Sequence, residues 1–155
     1  MVTFKADPDI FEVEDFSFDT LSYRLRELAF LNNGIQISIS DNRLPTPKSH
    51  DFKFEGGLKE FVQFLNKNKT SIHKEPIYFE AIREEVEMEM ALIYNDTYNE
   101  TLFSFVNNIN TREGGTHLTG FRSALTRTLN DYLRKSKHSK KMDESLSGDD
   151  VREGL

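Results

Sequence analysis

An α+β fold in two unequal pieces joined near residue 70 is what this sequence predicts, on three observations. Apolar residues recur every three or four positions in two long stretches, around residues 18–31 and 117–135. Between them, around residues 77–94, the period drops to two. The 155 residues are 37% hydrophobic with 13 Phe, enough apolar material for a packed core of about one domain's size.

The elements follow in chain order. Val2 to Lys5 is short and β-prone, and Asp7-Pro8-Asp9 closes it as a strand. From Ser17 the pattern becomes helical, with Phe18, Leu21, Leu25, Leu28 and Leu31 on one face. Ser17 or Asp19 caps its start, and Asn33-Gly34 supplies a left-handed stop. Ile35, Ile37 and Ile39 alternate with polar residues as a half-buried strand, and Asp41 to His50, with two Pro, is a surface loop. Gly56-Gly57 precedes a second helix carrying Leu58, Phe61, Val62 and Leu65, and Lys67 to Lys74 forms a polar junction.

Ile77-Tyr78-Phe79 opens a strand, and Val86 to Tyr94 alternates over a longer one. The strand pattern leaves Glu87 and Glu89 of the Glu84, Glu85, Glu87, Glu89 cluster on an outer face. Asn95-Asp96 turns the chain towards a strand over Leu102 to Ile109. The longest helix covers His117 to Lys135, with Leu118, Phe121, Leu125, Leu129 and Tyr132 as its core stripe. Lys135 to Lys141 is expected to be a mobile tail, and a short helix starts near Gly148.

Charge and composition exclude several function classes. No apolar run reaches the roughly 18 residues of a membrane span, and the start lacks a signal peptide's apolar stretch. With no Cys there is no disulfide scaffold, thiolate zinc site or Cys nucleophile, and a cytoplasmic protein is expected. His50, His73, His117 and His138 are too scattered for a metal site, and neither a GxSxG elbow nor a P-loop is present. The three Asn-X-Thr triplets are chance matches in that setting. The net charge of −6 is unevenly spread: residues 104–141 hold 8 basic and 2 acidic groups. A basic segment in an acidic chain suits an anionic partner, or is a solvated helix and loop.

Two places concentrate chemistry. Gly114 and Gly115 stand before Thr116 and His117 at the start of the long helix. They form either a tight turn capped by Thr116 or a helix start whose free N–H groups hold an anion. At 100° per residue, Thr119, Ser123, Thr126, Arg127, Asn130 and Arg134 gather opposite the apolar stripe, an inventory suited to phosphate. Arg122 falls at the stripe's edge and is expected in a buried or interfacial pair.

Four stretches carry a resemblance: Arg24 to Asn32 (RLRELAFLN), Glu55 to Thr70, Asn107 to Leu129 (NNINTREGGTHLTGFRSALTRTL) and Gly148 to Leu155 (GDDVREGL). Together they resemble the B subunit of bacterial DNA gyrase, a type IIA topoisomerase family, over nearly the whole chain. AFLN and TREGGTHLTGFRSALTRT favour gyrase over topoisomerase IV. The resemblance implies that residues 1–70 are the end of a Hsp90/histidine-kinase-type ATPase domain. Residues 71–155 would be the first part of a transducer, an α/β fold with a left-handed βαβ crossover.

It also implies ATP and Mg2+ as cofactors of the parent enzyme. Double-stranded DNA, the gyrase A subunit and a second B subunit are its implied partners, with no membrane. The family's magnesium asparagine, water-activating glutamate and glycine-rich lid would precede Met1, and its γ-phosphate lysine would follow Leu155. No ATP hydrolysis is then expected of this chain alone, since phosphoryl transfer depends on those groups. Only Val2 would border the adenine pocket. Arg127, Arg134, Ser123 and Asn130 would face captured DNA, with Gly114, Gly115, Thr116 and His117 setting where their helix begins. The alternative is a free-standing acidic protein-interaction domain without a nucleotide role.

Overall fold

A computed structural model describes residues 1–12, 15–136 and 145–155. They form α1 (Phe18–Leu31), β1 (Gln36–Asp41), β2 (Lys48–Lys53), α2 (Gly57–Leu65), β3 (Ile77–Arg83), β4 (Val86–Leu92), β5 (Phe105–Val106), β6 (Ile109–Asn110), α3 (Thr116–Lys135) and α4 (Gly148–Arg152). The expected tail over residues 137–141 lies outside the described residues. The chain divides into two compact units, Met1–Phe61 and Val62–Leu155.

In the first unit α1 packs on the β1–β2 hairpin. The Ser17 hydroxyl accepts the Thr20 N–H at its start, as the capping residue should. Ile37 opposite Phe52 and Ile39 opposite His50 place four ring and branched side chains on the hairpin face that α1 covers. Phe30 is the centre: it is 1% exposed and stacks on Phe54 and Phe61, with ring centroids 3.6 and 5.0 Å away. Gly34, at φ +77°, turns the chain out of α1, and its N–H donates to the Phe54 carbonyl.

Two expectations change here. No strand forms over Val2–Lys5, because extended backbone needs a ladder partner for its N–H and C=O groups and none is beside it among the described residues. The loop expected over Asp41 to His50 is shorter, since Lys48–His50 already belong to β2. With only Phe52 buried, β2 shows almost no apolar alternation, and β1 and α1 supply its reason to be extended.

At the loop's entrance Arg43 folds back on Asp41, Nη2 to Oδ2 2.6 Å and Nε to Oδ1 2.9 Å. These bonds hold the Asp41 carboxyl down at about 2, against an ordinary 3.8. A value lowered by folding means the contribution is complete above the ordinary value and is lost as pH falls from there towards 2. Asp41→Asn is therefore expected to flatten that part of an acid-stability curve. Superimposable curves for the two proteins through that window would refute the assignment.

The second unit starts within α2. Its β3–β4 hairpin turns at Glu84 and Glu85, both left-handed (φ 49° and 68°), the geometry of a two-residue hairpin turn. On one face the Tyr78 hydroxyl lies 2.9 Å from carboxylate oxygens of both Glu80 and Glu89, which pushes its ionisation well above the usual tyrosine range. The junction pairs back on the end of β4: Ile72 N–H donates to Tyr94 O, and Tyr94 N–H donates to His73 Nε2.

A second two-residue turn at Asn107 and Asn108 (φ 49° and 65°) splits the strand expected over Leu102 to Ile109 into the short β5–β6 hairpin. All three sheets are antiparallel pairs, so no parallel pair occurs among the described residues. Among the described residues, the buried side chains of this unit are Leu92, Ile93, Asn95, Val151 and Leu155. They gather where α4 and the residues after it meet the segment following β4. Ser147 and Asp150 form a reciprocal capping box at the start of α4, and the Tyr94 hydroxyl donates to the Val151 carbonyl at 2.7 Å.

Candidate nucleic-acid interface

The long helix is the element that gathers the candidate residues, and its attachment decides which way they point. None of its side chains is fully buried. Leu118, Phe121, Leu125, Leu129 and Leu133 are half-buried, as are Arg122, Thr126 and Asn130. This inward stripe is rotated about 50° from the expected one at 100° per residue. Tyr132, placed in the core by its sequence spacing, is instead 69% exposed.

Polar ties explain the rotation. Asn130 bridges the Leu146 backbone, its Nδ2 donating to Leu146 O and its Oδ1 accepting Leu146 N–H, both at 2.9 Å. Its Nδ2 also reaches the Thr126 carbonyl. Helical spacing predicts Asn130 on the DNA-facing side, and this clasp turns its amide inward instead. Arg122 makes the expected pair, gripping Glu100 with Nε and Nη2 at 3.0–3.1 Å. A fork-to-fork geometry of this kind fixes direction as well as distance.

Ser123, Arg127 and Arg134 remain on the outward side and are exposed. Arg134 pairs with Asp131 one turn earlier, both on the surface. Two guanidinium groups and a hydroxyl thus share one solvent-facing side.

The foot of the helix is a small open cavity of about 310 Å3, bordered by Leu102, Ser104, Thr111, Gly114, Gly115 and Arg122 among others. Gly114 takes φ +80°, and its N–H closes a turn onto the Thr111 carbonyl. Thr111 is held on Ser104 by backbone and hydroxyl bonds, and its Oγ1 lies 3.1 Å from His117 Nε2. The residue at the cap position is Gly115, without a side-chain bond to the helix start. Thr116, the expected cap, is the first helical residue, and a cap must stand one place earlier to accept the orphan N–H groups.

Val2 is 91% exposed. Among the described residues no group of three or more His, Cys, Asp or Glu can hold a metal ion. No described helix is long and apolar enough to cross a membrane.

Comparison with known proteins places this geometry in a family. The family profile described as DNA gyrase B matches residues 57–155, more than half of the chain. The chain belongs to the DNA gyrase B family. The DNA gyrase B protein of Clostridium acetobutylicum is 56% identical over 155 residues, which is 99% of this chain and 24% of that protein. The chain therefore spans about a quarter of the length of such a gyrase protein. Its fold matches the 43K ATPase domain of Thermus thermophilus gyrase B, solved in complex with an aminocoumarin. That match has TM-score 0.76 and 34% identity, covering 96% of this chain and 40% of the other. The B-subunit of the DNA gyrase from Myxococcus xanthus matches with TM-score 0.79 and 26% identity over the same shares. The gyrase B resemblance carried by the four stretches and the mixed α+β fold thus hold.

Sequence reasoning missed what these ties do. Glu100 lies 22 positions from Arg122, and Asn130 lies 16 from Leu146. No periodic pattern marks such pairs.

Proposed function

We propose that this segment belongs to a gyrase B subunit that binds and hydrolyses ATP with Mg2+ to capture and pass a DNA duplex, working in the cytoplasm. Its partners are the A subunit and a second B subunit. In this reading residues 1–70 end the ATPase domain and residues 71–155 begin the transducer. Val2 borders the adenine pocket of the whole protein, and the segment couples nucleotide state to the DNA gate. The outward side of α3 faces the captured duplex, with Arg127 and Arg134 on phosphates and Ser123 beside them. Gly114, Gly115, Thr116 and His117 set where that helix begins.

One observation carries the reading: Arg127, Arg134 and Ser123 share one exposed side of a helix in a member of the gyrase B family. Guanidinium groups suit phosphate by geometry and charge. The surface pair of Arg134 with Asp131 is weak enough to exchange for a phosphate contact.

The test uses the full-length protein assembled with its A subunit. Arg127→Ala with Arg134→Ala is expected to abolish most of the stimulation of ATP turnover by DNA. The slope of log apparent DNA affinity against log salt should become shallower by about two, roughly one unit for each phosphate no longer neutralised. Unchanged stimulation across a salt series would overturn the assignment.

A further inference from the structure

The Glu100 carboxylate holds two helices at once. Its Oε1 and Oε2 take the Arg122 fork from α3, and Oε2 also lies 3.4 Å from Arg152 Nε of α4. The Arg152 side chain is 16% exposed, and its Nε is buried without a hydrogen-bond partner. Asp149 takes the other end of that guanidinium at 2.7 Å. α4 is itself fixed to the segment after β4, through Tyr94 to Val151, Asn95 N–H to Gly154 O and Thr101 N–H to Leu155 O. Glu100 thus connects a well-anchored helix to one that has no fully buried residue.

We propose that Glu100 is a positioning residue: by holding Arg122 against Arg152 it sets the rotation of α3, and so the direction in which Arg127 points. This rests on the DNA-facing reading of Arg127 given above. The ties at Arg122 and Asn130 lie about 12 Å apart along the axis, and Arg127 stands about 140° round from Arg122. With only half-buried leucines beneath it, α3 has little apolar resistance to turning, so the polar ties decide its phase. A neutral amide at position 100 cannot replace the carboxylate. It offers an acceptor to one arginine and turns N–H donors on the other, leaving two cations side by side.

The sign of the effect makes the test decisive. Removing a carboxylate from a chain of net charge −6 strengthens DNA binding if charge alone matters. Loss of positioning weakens it. In the full-length protein assembled with its A subunit, Glu100→Gln is expected to raise the linear-duplex concentration for half-maximal ATPase stimulation about fivefold. Added to Arg127→Ala with Arg134→Ala, Glu100→Gln is expected to do no further harm, because the helix then has no arginine left to misdirect.

Tighter or unchanged DNA dependence in Glu100→Gln overturns the proposal, and so does simple additivity with the Arg127→Ala, Arg134→Ala pair. If Arg127→Ala has no effect of its own, the DNA-facing reading fails, and this inference with it. A neutral Glu100→Gln beside an impaired Arg127→Ala overturns this inference alone. Should Glu100→Gln not fold by circular dichroism, Arg122→Lys decides through the same measurements, since it keeps the charge and loses the fork.

Discussion

Gly154→Ala is expected to cost about 3 kcal/mol, adding left-handed strain to a backbone clash. Gly154 has φ +74°, and a Cβ there would lie 2.4 Å from the Asn95 carbonyl oxygen and 2.8 Å from that of Thr97. Both are backbone atoms, so no side chain can swing aside. The Gly154 carbonyl also accepts the Asn95 N–H at 2.8 Å, and Asn95 is 2% exposed, bonded to Asn66 and Thr97. Moving Gly154 away therefore strips a buried polar group of its partners, which adds to the strain. The melting temperature of the 62–155 unit should fall by more than about 10 °C. Gly120→Ala is the control: its Cβ would meet nothing within 4 Å in the middle of α3, so a gain of up to about 1 kcal/mol is expected. Equal melting of the Gly154 variant and the parent would show that the close approach is not a real constraint.

Phe30→Ala is expected to cost the first unit about 3–5 kcal/mol, the range for deleting a buried ring. The ring sits between Phe54 and Phe61, so its loss opens a cavity and leaves two aromatic faces without a partner. Phe16→Ala, at an exposed position, should stay within about 0.5 kcal/mol. Amide hydrogen exchange reports both. Protection in α1 and the β1–β2 ladder should collapse in the Phe30 variant alone. Retained protection there would mean that the hairpin does not depend on the aromatic stack.

Neither effect is visible in the sequence in the same way. Phe30 lies in the segment whose pattern predicts α1, but on the side opposite the expected Phe18, Leu21, Leu25, Leu28 and Leu31 stripe, and its burial comes from Phe54 and Phe61 while Leu21 is 40% exposed. The left-handed Gly154 has no such pattern, since its partner is the turn at Asn95, far back in the chain. The same contrast runs through the candidate site. Arg127, Arg134 and Ser123 are legible because helical spacing places them together. Asn130 belongs to the same set by spacing, yet its amide turns inward to Leu146.

By itself, then, the sequence determined what depends on near neighbours. α1 starts and stops where Ser17 and Gly34 allow, α2 follows Gly56, and a short helix starts at Gly148. The β1 and β3–β4 strands follow their alternation, and the gyrase wording fixes the family. Tertiary structure alone decided the rest. β2 is a strand because β1 and α1 need it to be, and Val2–Lys5 is not one because no partner stands beside it among the described residues. The turn at Asn107 and Asn108 cuts one expected strand into a hairpin. The rotation of α3 is set by a carboxylate and an amide clasp that tie it to distant parts of the chain. Local periodicity encodes which residues share a side of a helix; the direction that side faces is fixed by contacts between positions far apart in the chain.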